Sequence, residues 1–468
     1  MSAGRFAYVS ILFAAVIAGC GGNGLSPANG NAAARIARPA SASSPSPIQH
    51  VIIMVQENRT FNDFFATFPG ADGTVSAHVA ADPKCNPPIQ KGSISLREVN
   101  LVLDKDLDHR FSGYQTARDK GKMDGFDRVK FGNDLPECSY PYMYTNPSQI
   151  APYWLMAQQY TLAEHMFTTQ GSGSFTAHQD LIAGTTAIQP NRAMVDLPTC
   201  GGSSCVWGCD APPRTHTHLI TAKSQELNMR RFPGPYPCSN QFPVPYPTLR
   251  DLLDAAGVSW KYYVPPAKVT AGRLFSAYDA IATVRYGPEW TTNVISPETT
   301  IFSDIEYSQL ANVSWVMPDM KNSDHPGQGT DNGPEWIASV VNAIGESPYW
   351  NSTAIVIVWD DWGGLYDNLP PPQLGFGGLG FRVPAIIVSP YARAGYISPT
   401  NYEFGSILKY VEGNWNLGTL GSSDERAASI IDCFDYLQAP ITFQPITSSK
   451  GSSFFTREKP SYKPLDDD

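Results

Sequence analysis

Two pairs of oxygen donors stand at the ends of apolar runs: Glu57 and Asn58 after HVIIMVQ, and Asp360 and Asp361 after TAIVIVW. Three carboxylates and an amide oxygen are hard donors of the kind that hold a divalent cation. Adjacent carboxylates beside a buried sheet are costly unless a cation offsets them, so these four residues are the candidate metal ligands. Ser174 is the candidate nucleophile. It lies in QGSGSFTAHQDLIAGT, where a Gly-rich turn enters a helix and can present a hydroxyl beside free backbone N–H groups. Simple helix capping is the competing reading of that serine. His178 follows four positions later, and His109 (DKDLDHRF) and His325 (NSDHPGQG) occupy polar loops rather than apolar faces. A solvated surface histidine is the alternative for each of the two loop residues. Together these groups could hydrolyse a phosphate ester, which needs neutralised phosphoryl oxygens, an aligned nucleophile and a proton for the leaving oxygen.

The elements that must position them follow from hydrophobic pattern. The runs ending at Gln56 and Trp359 are continuous, rich in Val and Ile, and free of Pro, as expected of strands buried on both faces of a sheet. Ligands of such sheets bind beyond the carboxyl ends of the strands. Further strands are expected around 258–264, 312–319 and 383–391, and helices over 335–344 and 406–412. Another helix should start with a cap at Thr248-Leu249-Arg250-Asp251 and stop at Gly257. Alternating strand and helix signals predict an α/β fold, a mainly parallel central sheet with helices on both faces. Residues 190–247, rich in Pro, Cys and aromatics, show no clear periodicity and are expected to form a disulfide-braced excursion over the core, bordering the site.

At 468 residues, 42% hydrophobic and 16% charged, the chain can bury a large core. A net charge of -10 with no dense basic run argues against nucleic-acid binding. Residues 1–19 carry Arg5, an apolar stretch and Ile17-Ala18-Gly19 before Cys20, the pattern of a lipoprotein-type signal whose cysteine becomes a lipid anchor. Residues 20–47, almost all Gly, Ser, Ala, Asn and Pro, should form a flexible tether reaching about 30 Å. The folded domain is expected over 48–445, with a polar tail over 446–468. Of the seven cysteines after Cys20, an exported chain should pair most as disulfides, leaving Cys433 free in a terminal helix. CGGSSCVWGC lacks the paired short knuckles of a structural zinc site. The expected location is the cell envelope.

The segments ENRTFNDFF, DHRF with GKMDGF, GSFTAHQDLIAGT, SDHPGQG, WDDWGGLYDN and GFRVPAIIVSPYARAGYI resemble, in order and spacing, the bacterial phosphoesterase family of phospholipases C and acid phosphatases. The resemblance spans about residues 50–434 and implies an alkaline-phosphatase-like core. It implies that Glu57, Asn58, Asp360 and Asp361 bind metal, that Ser174 is the nucleophile and that His109 and His325 surround the phosphate, with His178 a further catalytic position. The expected cofactor is a divalent ion: oxygen donors suit Ca, Mg or Mn, and sites of His with carboxylate also take Zn or Fe. The implied substrates are phospholipids or small phosphate esters, since the family hosts both activities; lipid-tethered export and 12% aromatic content put phospholipase C action on phosphatidylcholine-like diesters ahead of acid phosphatase action. A non-catalytic lipoprotein that binds a phosphorylated ligand is the reading from another class. Three positions depart from the family pattern: Asn368 for a frequent His, Ala177 for Asn, and Asp361 for Glu.

Overall fold

The computed structural model describes residues 46–131, 138–199, 207–212, 215–227 and 238–463. The expected signal segment, Cys20, nearly all of the tether, Cys200, Cys205 and the last five residues lie outside them. Eight strands form the central sheet: β1 (His50–Gln56), β2 (Thr161–Ala163), β3 (Trp260–Tyr263), β4 (Val294–Ile295), β5 (Val313–Val316), β6 (Thr353–Trp359), β7 (Ala385–Val388) and β8 (Tyr396–Ser398). Their order across the sheet is β4-β3-β5-β1-β6-β7-β2-β8. Pairing is parallel except where β7 runs antiparallel to both β6 and β2.

All seven residues of β6 are buried, as are the last six of β1, so both faces of the sheet centre are covered. Helix α1 (Phe61–Phe65) follows β1 in the chain, and side-chain parity shows which later helices do the covering. Gln56 and its register partner Trp359 point to one face, where Gln56 donates to the Tyr153 hydroxyl of helix α2 (Ala151–Gln159) at 3.0 Å. Trp315, whose partner Ile53 has the opposite parity, donates from Nε1 to the carbonyl of Leu181 in helix α3 (Ser174–Ala183) at 3.2 Å. Helices therefore cover both faces, as the strand and helix pattern predicts. Helix α4 (Leu249–Ala256) begins with the expected capping box between Thr248 and Asp251 and ends at Gly257 in the left-handed region. Helices α5 (Gly333–Gly345) and α6 (Phe404–Trp415) extend the expected ranges at both ends.

Two expectations need correction. The 190–247 stretch is not aperiodic: Arg192–Thr199 pairs antiparallel with both Ala187–Gln189 and His216–Thr221. Asp196, at φ 58°, and Pro198 interrupt the alternation that would have revealed the strand. The stretch is braced as expected, by a disulfide between Cys209 and Cys238, and a second joins Cys85 to Cys138. Cys433 is free and buried, but in a 3-10 turn, Ile430–Cys433, rather than a longer helix. The polar segment beyond 446 docks on the domain: Phe455 packs edge-on to Trp336 at 5.3 Å, and the Asp319 carboxylate accepts the Ser461 N–H. No helix among the described residues is long and apolar enough to cross a membrane.

Candidate active site

Strands β1, β5 and β6 are parallel neighbours, so their carboxyl ends reach one edge of the sheet together. Because Gln56 is in register with Trp359, the residues that follow are brought side by side: the Asn58 N–H donates to Asp360 Oδ1 at 2.9 Å, across 302 positions of sequence. The Asp361 N–H donates to the same oxygen at 2.7 Å. Beyond β5 the Ser323 carbonyl accepts the Glu57 N–H at 2.8 Å, which draws the His325 loop to this edge. Gly363 allows the two strand ends to meet. It has φ 57°, and a Cβ there would lie 2.3 Å from the Asn58 carbonyl oxygen.

The chain after β2 returns through Gly171-Ser172-Gly173 to start α3 at Ser174, again at the same edge. Ser174 is 2% exposed, and its hydroxyl donates to Asp361 Oδ2 at 3.3 Å. A Cβ at Gly173 would lie 3.3 Å from His109 Cδ2, so glycine permits the close approach of this turn to His109. One helical turn further, His178 Nε2 stands 3.0 Å from Glu57 Oε1 and 4.0 Å from Asp360 Oδ2. Ligand atoms of Glu57, His178 and Asp360 all fall within 4.8 Å of one another, and all three residues are buried.

On the other side of Asn58 lie the loop histidines. Asn58 Nδ2 donates to Nε2 of both His109 and His325, at 3.3 Å each. Each imidazole is oriented from behind: Nδ1 of His109 donates to the Leu107 carbonyl at 2.6 Å and Nδ1 of His325 to the Pro326 carbonyl at 2.7 Å. With Nδ1 donating outward, each ring turns Nε2 into the site. Asp361 Oδ2 is also 3.7 Å from His109 Nε2, and Asp106 approaches both rings, at 3.8 Å from His109 and 4.0 Å from His325. The structure therefore brings all eight expected residues to one edge in two linked groups. Glu57, Asp360 and His178 form one; Ser174, Asp361, His109 and His325 form the other, with Asn58 between them.

His178, expected among the catalytic groups, sits with the carboxylates of the first group. Burial pushes its pKa down to about 4, against a smaller opposing pull from Asp360, so it is neutral near pH 7 and free to act as a ligand. Asp106 was not singled out in the sequence; its position three before His109 in an acidic loop was the available signal. Trp207, also not singled out, packs on Phe175 and His178 with centroids 4.8 and 6.2 Å away, placing the 190–247 excursion against the site. Asn368 is held away from proton chemistry, since its Oδ1 accepts from Arg382 Nη2 at 2.6 Å beside the buried Arg382–Asp367 pair.

A cation fits this donor set. Asp360 Oδ2 and Asn58 Oδ1 are buried and accept no hydrogen bond, a state that costs free energy unless positive charge is supplied. Neutral His178 cannot supply it.

The Phosphoesterase family model matches residues 48–418. The chain belongs to the Phosphoesterase family. It is thus a phosphoric ester hydrolase. It is 22% identical to phospholipase C B of Mycobacterium tuberculosis, over 85% of this chain and 80% of that one. It is also 22% identical to non-specific phospholipase C4 of Arabidopsis thaliana, over 84% and 75%. Among solved structures, a protein of the alkaline phosphatase superfamily from Vibrio parahaemolyticus aligns with TM-score 0.38 at 9% identity, covering 85% of this chain and 74% of that one. A phosphonate monoester hydrolase from Silicibacter pomeroyi aligns with TM-score 0.26 at 14% identity, covering 63% and 73%.

Proposed function

We propose that this phosphoesterase is a metal-dependent phospholipase C that cleaves phosphatidylcholine-like diesters in two steps through Ser174. The observation that carries the reading is the Ser174 hydroxyl directed at a buried carboxylate, Asp361, at 3.3 Å, one helical turn from the Glu57–His178–Asp360 cluster. Asp361 takes the hydroxyl proton as Ser174 Oγ attacks phosphorus, and the bond from phosphorus to the departing alcohol breaks. The first N–H groups of α3 have no partners within the helix and face the developing negative charge. Nε2 of His109 or His325, once it takes up a proton in place of the Asn58 hydrogen bond and with Asp106 beside the ring, gives that proton to the alcohol oxygen. Water, losing a proton to that histidine, then attacks phosphorus; the bond to Ser174 Oγ breaks as Asp361 returns its proton to Oγ, releasing the phosphomonoester of the headgroup.

Glu57, Asp360 and His178, with Asn58 beside them, are the proposed metal residues; a divalent ion bound there would offset phosphoryl charge. Two carboxylates with an imidazole suit Zn, Mn or Fe better than Ca or Mg. The choice of diester substrate is supported by the relatives named phospholipase C.

Export to the cell envelope with a lipid anchor at Cys20 is part of the same proposal, supported by the apolar leader and by two disulfides that favour an oxidising compartment. Membrane-fraction recovery of the protein, lost on Cys20→Ser, tests the anchor. The substrate is tested by comparing p-nitrophenyl phosphorylcholine with p-nitrophenyl phosphate across Zn, Mn, Fe, Mg and Ca. Faster diester turnover is expected, and faster monoester turnover would make the protein an acid phosphatase instead.

A further inference from the structure

The helix that starts at Ser174 ends against a second cavity, of about 480 Å³, lined by Asp180 and Ala183 of α3 and by Gly184, which caps it. Asp180 is six residues beyond Ser174, about 9 Å along the helix axis. None of the eight candidate site residues lines this cavity. Its wall carries an unusual concentration of unmet hydrogen-bonding capacity. Asp180 is 1% exposed, yet neither carboxylate oxygen accepts a hydrogen bond. Thr169 Oγ1, Gln170 Nε2 and Ser423 Oγ, also buried and lining the cavity, have no partner either.

The one described cation on this wall is already engaged. Among the described residues lining the cavity it is Arg426, and both of its hydrogen bonds go to Glu403, from Nε at 2.8 Å and Nη2 at 2.7 Å. That bidentate pair satisfies Glu403 and leaves Asp180 without an ion pair. Burial, with the Glu403 charge adding to it, pushes the Asp180 carboxyl well above the usual carboxylate range, so without a counter-charge it holds a proton. A ligand cation would hold it ionised instead. The volume is that of a small-molecule site and far exceeds a bare ion, and the aromatic side chains of Tyr246 and Phe376 supply surfaces suited to an alkylammonium.

We propose that this cavity is a second binding site, separate from the phosphoester centre, for a small organic ammonium that carries a hydroxyl or ether oxygen. Asp180 pairs with the ammonium, Gln170 Nε2 donates to the ligand oxygen, and the hydroxyls of Thr169 and Ser423 complete the contacts.

Isothermal titration calorimetry of the purified protein with ethanolamine, and with uncharged ethylene glycol as control, tests the assignment. Ethanolamine is expected to bind and ethylene glycol to fail. Asp180→Asn is expected to weaken ethanolamine binding by at least about tenfold, the scale of one lost charged hydrogen bond. Ala222→Trp, an exposed rim position that blocks the cavity without touching the core, should do the same and remains informative if the buried substitution prevents folding. Ser174→Ala should leave the affinity unchanged. Absence of ethanolamine binding, equal binding of ethylene glycol, or binding that survives Ala222→Trp but not Ser174→Ala would overturn the proposal.

Discussion

Acid should destabilise this protein through His178, and the effect can be isolated. The ring is buried with its pKa lowered to about 4, from 6.5 when exposed. Above pH 6.5 it is neutral in both folded and unfolded chains and contributes no pH dependence. As pH falls below 6.5 the unfolded chain takes a proton that the native state refuses, so stability is lost until the pH nears 4. At about 1.36 kcal/mol per unit, the full loss is on the order of 3 kcal/mol, of which roughly 2 kcal/mol has accrued by pH 5. Other groups pull the opposite way. Burial raises Asp324 to about 7 and Glu298 to about 8, so these acids hold protons in the native state and favour folding as pH falls. The wild-type pH curve therefore mixes both signs. Urea unfolding of wild type and His178→Gln in chelator, at pH 8 and pH 5, removes the shared contribution. The stability difference between the two should move by roughly 2 kcal/mol in favour of the variant on going to pH 5. Parallel curves over that range would refute the reasoning that His178 is a neutral, desolvated ligand.

Three further outcomes follow from the geometry. Asp361→Asn keeps an oxygen to accept the Gly363 N–H but removes the charge beside Ser174. It should lower kcat by roughly 10²–10⁴ with KM little changed, and a loss under about tenfold in steady-state assays would remove Asp361 from proton transfer. Gly363→Ala forces a left-handed alanine and sets its Cβ 2.3 Å from the Asn58 carbonyl. Thermal unfolding should show at least about 3 kcal/mol of destabilisation, and a loss below about 1 kcal/mol would contradict the close packing of the two strand ends. The Cys85–Cys138 disulfide closes a loop with a sequence separation of 53. The double Cys→Ala variant should lose about 2–4 kcal/mol in denaturant unfolding, and no loss would show that the bridge does not restrain the unfolded chain.

The legibility of the site follows from how its parts are encoded. Strands β1 and β6 announce themselves because a strand buried on both faces has no polar position to interrupt it, and the pairs that follow such runs are then conspicuous. The Ser174 turn is visible through its small residues, which the close approach to His109 requires. Other features depend on partners that a local stretch of sequence cannot show. That β7 runs antiparallel is set by its neighbours, not by AIIV itself. The Arg192–Thr199 strand is hidden by a residue in the left-handed region. That left-handed residue, Asp196, has its carboxylate engaged with the Phe111 N–H at 2.7 Å and the Ser172 hydroxyl at 3.0 Å. The placement of His178 beside Glu57, and of Asp106 between two histidines, depends on how α3 and two loops dock at the sheet edge. Docking of the last residues rests on Phe455 and Ile446, two apolar anchors in a segment whose average composition is polar.

The central claim is covalent phosphoryl transfer at Ser174, and rapid-quench mass spectrometry tests it most directly. Metal-loaded protein mixed with p-nitrophenyl phosphorylcholine should release a burst of p-nitrophenolate and carry a phosphorylcholine adduct on the peptide containing Ser174. The adduct and turnover should both vanish in Ser174→Ala. Full turnover by that variant, or an adduct on another residue, would contradict the account.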